Sequence, residues 1–178
     1  MIVLQIVGYK NAGKTTLASA IIERLSSLGY LIGSVKHDAH NFVPDVPGTD
    51  SSRHREAGAY MTAITSSSRT AWTMERPTPL DALLDAMRGQ AIDAVIVEGF
   101  KTAPYPKIVL LRDSSDVELL HLPNVLAFAI RQQNETLVSV AAASSLPLFH
   151  VGELQLDELL RYVEALVAAA AQNNKSNR

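Results

Sequence analysis

A single octapeptide places the strongest constraint on this chain, because it satisfies the pattern G-x-x-x-x-G-K-[ST] at every specified position: Gly8-Tyr9-Lys10-Asn11-Ala12-Gly13-Lys14-Thr15. A β-prone run precedes it and an amphipathic helical pattern follows it. The two glycines permit turns that aim successive N–H groups at one anion, and the following helix adds its positive dipole end. Lys14 supplies a point charge, and the Thr15 hydroxyl supplies a hard oxygen ligand for Mg²⁺. The pattern predicts a P-loop that binds a nucleoside triphosphate.

Apolar strand-like runs alternate with helical patterns along the rest of the chain. This alternation predicts an α/β fold, a P-loop NTPase-like three-layer sandwich with a mainly parallel (mixed) sheet flanked by helices. Strands are predicted over residues 2–7, 31–36, 60–65, 70–74, 93–97, 107–111 and 125–130, and helices over 14–28, from 50 onward, 79–88 and 154–171. The 178 residues suit one domain, predicted over 1–172, with a disordered polar tail at 173–178.

Composition excludes several classes of function. The net charge of −2 argues against a nucleic-acid binder, and the absence of cysteine removes disulfides, thiolate nucleophiles and Cys-ligated metals. No apolar run approaches the length of a membrane span, and no basic segment precedes the apolar opening run. We therefore expect a cytoplasmic protein with neither nucleic-acid nor membrane partners.

A P-loop needs an acidic group to help hold Mg²⁺, and Glu98 is the candidate. It ends the apolar run that begins at Asp93, and the carboxyl ends of parallel strands are where ligands bind in an open sheet. Asp93 starts the same strand at the opposite edge and is predicted to be structural. Asp50 opens a helix after a glycine-bearing loop and is predicted to be its N-cap.

The segment Lys36-His37-Asp38-Ala39-His40 leaves a strand on the phosphate side, and three interpretations of it compete. His37 and His40 lack an obvious third ligand for a metal site. The segment could instead order around a γ-phosphate and Mg²⁺, or form a plain surface loop, and these two readings stay open. Lys10 is predicted to be a solvated loop lysine rather than one that reaches a partner's nucleotide.

These residues together resemble the molybdopterin-guanine dinucleotide biosynthesis protein B (MobB) family. The resemblance rests on motifs spread from Ile2 to Arg112, namely Val7-Gly8-Tyr9 through Lys14-Thr15-Thr16, Val35-Lys36-His37-x-x-His40, Gly48-x-Asp50-Ser51, Arg55-x-Ala57-Gly58-Ala59, Val97-Glu98-Gly99-Phe100-Lys101 and Lys107-Ile108-Val109-Leu110. The P-loop alone is generic, whereas the combination is specific.

The resemblance implies a GTP-binding protein, at best a slow GTPase, that assists a separate nucleotidyltransferase of molybdenum cofactor biosynthesis and forms a homodimer. It leaves open whether molybdopterin itself is bound. Carried over by motif, the run from Gly8 to Thr16 holds the GTP phosphates, Thr15 and Glu98 lie near Mg²⁺, and His37, His40 and Asp50 line the same site.

Two departures from familiar patterns bear on function. Lysine is usual in the family where Thr49 stands, and the guanine-reading N-K-x-D of ordinary GTPases is absent. Guanine preference rests on the resemblance alone, since residues 127–133 show no recognisable base-reading side chain. The alternative is an ATP-dependent small-molecule kinase, but the arginines are too scattered to form its phosphate-covering lid. An ATP-dependent transport or partition switch is disfavoured because Tyr9 stands where such proteins carry lysine.

Overall fold

The computed structural model describes residues 1–38, 42–131, 134–152 and 155–176. Within these ranges the strands are β1 (Ile2–Val7), β2 (Ile32–Lys36), β3 (Met61–Thr65), β4 (Thr70–Met74), β5 (Ala94–Glu98), β6 (Lys107–Leu111), β7 (Val125–Ile130) and β8 (Leu148–His150). The helices are α1 (Lys14–Ser27), α2 (Asp50–Glu56), α3 (Leu80–Arg88), α4 (Glu135–Ala143) and α5 (Leu156–Ser176), with a 3-10 helix at Ser114–His121.

Six of the strands form one sheet in the order β2-β5-β1-β6-β7-β8, and every neighbouring pair is parallel. The central strand β1 places Ile6 opposite Glu98 of β5 on one side and Ile108 of β6 on the other. The loop that follows β1 therefore emerges between the carboxyl ends of β5 and β6, which is where an open parallel sheet binds its ligands.

Alternate side chains of the central strands enter hydrophobic cores on opposite faces of the sheet, as the pleat of a strand requires. One face carries Leu4 and Ile6 and is covered by α1 and α5. The other face is covered by α3 under β5 and by α4 with the 3-10 helix under β7. Because both faces are covered, strands such as β5 are buried along their whole length and read as continuous apolar runs.

The chain divides into two compact units, and the single domain over 1–172 stays a prediction. The first unit is Met1–His37 with Leu80–Arg178 and contains the six-stranded sheet. The second unit, Asp38–Pro79, contains α2 and the antiparallel hairpin of β3 and β4, paired from Met61 with Met74 to Thr65 with Thr70. The two strands of the hairpin were predicted, and so was the helix that precedes them.

Three details of the fold differ from the sequence predictions. The six-stranded sheet is wholly parallel, because the antiparallel strands belong to the second unit. Helix α5 continues to Ser176, where a disordered tail from Asn173 was predicted, since propagation of a formed helix adds one backbone hydrogen bond for each residue that is fixed. The N-cap of α2 is Thr49, not Asp50: Thr49 has the extended conformation, and its side chain accepts from the Ser52 N–H.

Helix α4, strand β8 and the 3-10 helix were not predicted from the sequence. Strand β8 has only three residues, which is too short for a recognisable sequence pattern. Helix α4 begins at a cap in which the Leu137 N–H donates to Asn134 Oδ1 at 3.0 Å, and the sequence gives little other indication of its start. No helix of the described ranges has the length and apolar character of a membrane-crossing segment.

Candidate functional site

The P-loop connects β1 to α1 and lies directly against β6. A Cβ built on Gly8 would stand 2.8 Å from the Leu110 carbonyl oxygen, so only glycine lets the loop pass this close to the neighbouring backbone. Gly13 ends the loop with a φ of 92°, in the left-handed region that a side chain disfavours. These two positions explain why the pattern requires glycine, and they leave the first turn of α1 facing the loop.

Lys14 folds back over the loop that it follows. Its Nζ donates to the Tyr9 carbonyl oxygen at 2.8 Å. Partial burial lowers its pKa, and the charges of Lys36 and Arg112 lower it further, while the nearby Glu98 carboxylate opposes this shift. A cation held against a loop of N–H groups is stabilised by an arriving anion, which is the electrostatic setting that phosphate binding needs.

One flank of the P-loop, here called the acid flank, consists of Thr15, Lys36 and Glu98. The Thr15 hydroxyl lies 2.9 and 3.0 Å from the two carboxylate oxygens of Glu98 and donates to them. Lys36 Nζ stands 3.5 Å from Glu98 Oε1 and 3.4 Å from Thr15 Oγ1. The Glu98 side chain is only 11% exposed, and Thr15 and Lys36 hold its carboxylate beside the P-loop.

The turn after Glu98 is held in place from two sides. Gly99 has a φ of 92°, and a Cβ there would lie 3.1 Å from His37 Cβ. The His37 N–H donates to the Glu98 carbonyl at 2.9 Å, and the His37 ring lies 4.6 Å from the Phe100 ring between centroids. From β1, the fully buried Gln5 Nε2 donates to the Gly99 and Phe100 carbonyls at 3.1 and 2.8 Å.

The opposite flank, here called the cavity flank, is organised by Arg112 and Asp116. The Arg112 guanidinium donates to both carboxylate oxygens of Asp116, at 3.0 and 2.6 Å, and the Arg112 N–H adds a bond of 2.9 Å. Asp116 has no exposed surface, and the Arg112 hydrogen bonds hold its pKa below the ordinary range. Arg112 Nη1 also donates to the Lys10 carbonyl at 3.2 Å, which fixes the P-loop from this side.

A cavity of about 580 Å³ opens on the cavity flank, off the ends of β6, β7 and β8. It is lined by Asn11, Ala12, Leu111, Arg112, Asp113, Arg131 and Gly152. Because Asn11 and Ala12 are P-loop residues, the cavity is continuous with the loop.

A family model described as "Molybdopterin guanine dinucleotide synthesis protein B" (MobB) matches residues 3–131. The chain belongs to the MobB family. A Bacillus subtilis relative named "Probable molybdopterin-guanine dinucleotide biosynthesis adapter protein" is 33% identical over 153 residues, which span 85% of this chain and 86% of the relative.

Solved MobB structures share the fold. Bacillus subtilis MobB gives a TM-score of 0.78 at 30% identity, covering 93% of this chain and 97% of that one. A MobB protein homolog from Bacillus stearothermophilus gives 0.73 at 28% identity, covering 95% and 99%. The predicted membership of the MobB family and the predicted P-loop NTPase-like fold are both confirmed.

The structure brings together most of the residues that the sequence predicted for the site. Gly8 to Thr16 form the loop and the first turn of α1, with Thr15 bonded to Glu98 and the His37 backbone bonded to the same strand end. Lys10 has an exposed side chain and takes part through its carbonyl. Asp93 is structural as predicted, since its carboxylate accepts from the Leu31 N–H at 2.9 Å.

Two predicted site residues are not placed at the site. His40 lies outside the described residues. Asp50 belongs to the second unit, where it stands 4.0 Å from Arg53 one turn along α2, and its role at the nucleotide site stays a prediction.

Four residues of the site in this MobB chain escaped the sequence analysis: Gln5, Lys36 as a partner of Glu98, Arg112 and Asp116. Gln5 was readable in part, because a polar side chain inside a buried parallel strand needs a partner. Arg112 and Asp116 are four residues apart beyond a strand end, a spacing that carries no signal until the 3-10 helix is known.

The side chains fit a magnesium-bound nucleotide. Thr15 and Glu98 offer the hard hydroxyl and carboxylate oxygens that Mg²⁺ prefers, and Lys14 with the loop amides offers the charge for phosphates. Thr15 and Glu98 would hold the ion, which would supply positive charge against that of the phosphates.

Proposed function

We propose that this MobB-family chain binds GTP with Mg²⁺ and acts as an accessory protein in molybdenum cofactor biosynthesis, assisting the nucleotidyltransferase that forms molybdopterin guanine dinucleotide. The observation that carries the nucleotide site is the P-loop with its Thr15 hydroxyl held by a buried strand-end carboxylate, Glu98. The roles named for the matching family and for the Bacillus subtilis relative support the pathway.

Guanine as the base, a homodimer and the partner enzyme come from the family resemblance and are part of the proposal. The cytoplasm, which holds the cell's GTP, is the location that this function implies. The word "adapter" in the relative's name favours a protein whose nucleotide state is read by a partner.

Hydrolysis is proposed to be slow at most. Glu98, the carboxylate of the acid flank, already accepts from Thr15 and faces Lys36 at 3.5 Å. In this proposal Glu98 supports the metal through its bond to Thr15 and is not assigned the role of general base, which requires a group within reach of the proton of the attacking water.

Two measurements test this function on the purified chain. Calorimetry with GTP and ATP, each with Mg²⁺, should show micromolar or tighter binding that favours GTP. Affinity capture should retain the nucleotidyltransferase better with GTP than without nucleotide. An ATP preference would refute the proposed GTP site, and fast phosphoryl transfer to a small acceptor would favour the kinase alternative.

A further inference from the structure

The two flanks of the P-loop give a bound nucleotide a direction. The acid flank, on the β5 side, is filled by paired side chains that suit Mg²⁺ and the terminal phosphates. The cavity flank, on the β6 side, has open space continuous with Asn11 and Ala12 of the loop. Since the phosphates of a nucleotide end at one side in a ribose and base, this cavity is where that end has room. Its volume of about 580 Å³ lies within the ordinary range for small-molecule pockets.

The polar side chains that line the cavity differ in whether they already make hydrogen bonds within the protein. Arg112 is bonded to Asp116 and to the Lys10 carbonyl. Asp113 caps the 3-10 helix, and its Oδ1 accepts from the Ser115 N–H and hydroxyl at 2.9 and 2.6 Å. Arg131, in contrast, makes no side-chain hydrogen bond or ion pair with any part of the chain that the structure describes. Its guanidinium is therefore available to a ligand.

The position of Arg131 connects the cavity to the P-loop. It follows β7 directly, and a Cβ built on Gly13 would stand 3.5 Å from Arg131 Cδ and 3.7 Å from its Nη1. On the other side, a Cβ on Gly152 would lie 3.9 Å from the Arg131 carbonyl. The side chain thus lies along the end of the P-loop, at the mouth of the space that a nucleoside would enter.

We propose that the cavity receives the nucleoside and that Arg131 reads the base as guanine through its O6 and N7 atoms. This inference rests on the proposed function. Guanine presents two acceptors side by side at O6 and N7, which match the paired N–H donors of a guanidinium. Adenine presents the N7 acceptor beside an N6 amino donor, so one arginine N–H would face another donor. Arg131 thereby supplies a discrimination for which the sequence offers no N-K-x-D.

The test compares GDP, IDP and ADP by calorimetry on the wild-type chain and three variants. Inosine keeps O6 and N7 but lacks the 2-amino group, so IDP should bind like GDP, and ADP about 10- to 100-fold more weakly. Arg131→Ala should bring GDP and IDP to the ADP level and leave ADP unchanged. Arg131→Lys keeps the positive charge but loses the paired N–H donors of the guanidinium, and should retain only part of the preference for GDP over ADP. Arg161→Ala, which removes an arginine that is 72% exposed on α5, is the matched control.

Other outcomes separate the possible failures. An equal fall of all three nucleotides in Arg131→Ala would mean a phosphate contact and would overturn base reading. So would a preference for GDP that survives the substitution, or wild-type IDP binding as weakly as ADP. Wild-type chain that binds no nucleotide would refute the proposed function itself. Unfolding curves that match wild type exclude misfolding as the cause of any loss.

Discussion

The two flanks of the P-loop are built from similar residue types and yet differ in how those residues are used. On the acid flank, a carboxylate faces the site and holds Thr15 and Lys36, both of which stand at the loop or next to it. On the cavity flank, the Asp116 carboxylate is fully buried and accepts from Arg112, and Arg112 in turn donates to the Lys10 carbonyl. The acid flank offers groups to a ligand, whereas the Arg112–Asp116 pair fixes the loop that the ligand meets.

This difference shows that a carboxylate near a P-loop cannot be assigned a role from its proximity alone. Glu98 ends a strand, where the sheet exposes side chains to ligands. Asp116 lies within the 3-10 helix, and its carboxylate accepts from Arg112 and Ser115, which lie just before it in the chain. Substitutions on the two flanks should therefore change different measured quantities.

Among substitutions that compare the two flanks, the largest effect is expected from Gly8→Ala, because the loop they share cannot accept a Cβ 2.8 Å from the Leu110 carbonyl. The backbone must shift, and GTP affinity should fall about 100-fold, equivalent to about 2.7 kcal/mol. Calorimetry measures this. The control is Gly89→Ala, where nothing lies within 4 Å of the added Cβ, and it should bind GTP as wild type does. Equal GTP affinity of the two variants would show that the loop accommodates a Cβ at position 8.

Glu98→Gln should show whether the acid flank binds Mg²⁺, because its effect on GTP affinity should depend on the metal. The amide still accepts from Thr15 but has no charge, so GTP affinity with Mg²⁺ should fall about tenfold, or about 1.4 kcal/mol. Affinity measured in EDTA should stay unchanged or rise slightly, because one negative charge near the phosphates is gone. Glu118→Gln, on the exposed side of the 3-10 helix, is the control. A loss of the same size with and without Mg²⁺ would contradict a metal role.

Asp116→Asn should act on stability more than on binding. It weakens charged hydrogen bonds to a buried group, and the free energy of unfolding in urea should fall by about 2 kcal/mol. GTP affinity should fall only about threefold, because the Lys10 carbonyl is held less firmly. Asp157→Asn disrupts an equally spaced pair with Arg161 whose side chains are over 70% exposed, and should cost about 0.5 kcal/mol or less. Equal costs for the two variants would refute the structural role of Asp116.

The pH dependence of Asp116 follows from the direction of its pKa shift. Its folded-state pKa is lowered, first by the Arg112 hydrogen bond. The stabilisation is therefore present above the unfolded pKa, near 4, and is lost as the pH falls through the lower folded value. The difference in unfolding free energy between wild type and Asp116→Asn should hold from pH 7 to about pH 5 and narrow below pH 4. A difference that widens on acidification would contradict this sign.

The parts of the site and fold that were predictable from the sequence are those whose patterns are contiguous in the chain. The P-loop is contiguous, and Glu98 ends an apolar run, so both were predictable from short patterns that the parallel sheet then brings together. Strands β6 and β7 were predicted with their observed bounds, because fully buried parallel strands are continuous apolar runs.

The remainder depended on tertiary structure. Gln5 meets the turn at Gly99 and Phe100 only through the pairing of β1 with β5, more than ninety residues away in sequence. Arg112 reaches the Lys10 carbonyl because β6 lies beside β1. The second unit was predicted element by element, but its separation from the first is a property of packing, which no local pattern records.

Lys14→Ala is the most direct test of whether Gly8 to Thr15 bind a nucleoside triphosphate. Lys14 stands with its Nζ on the Tyr9 carbonyl, partly exposed and outside the hydrophobic cores, so its removal should leave the unfolding curve close to that of wild type. Calorimetry with GTP and Mg²⁺ should show binding to wild type and none to a folded Lys14→Ala at the same concentrations. Unchanged GTP affinity in the folded variant would contradict the account.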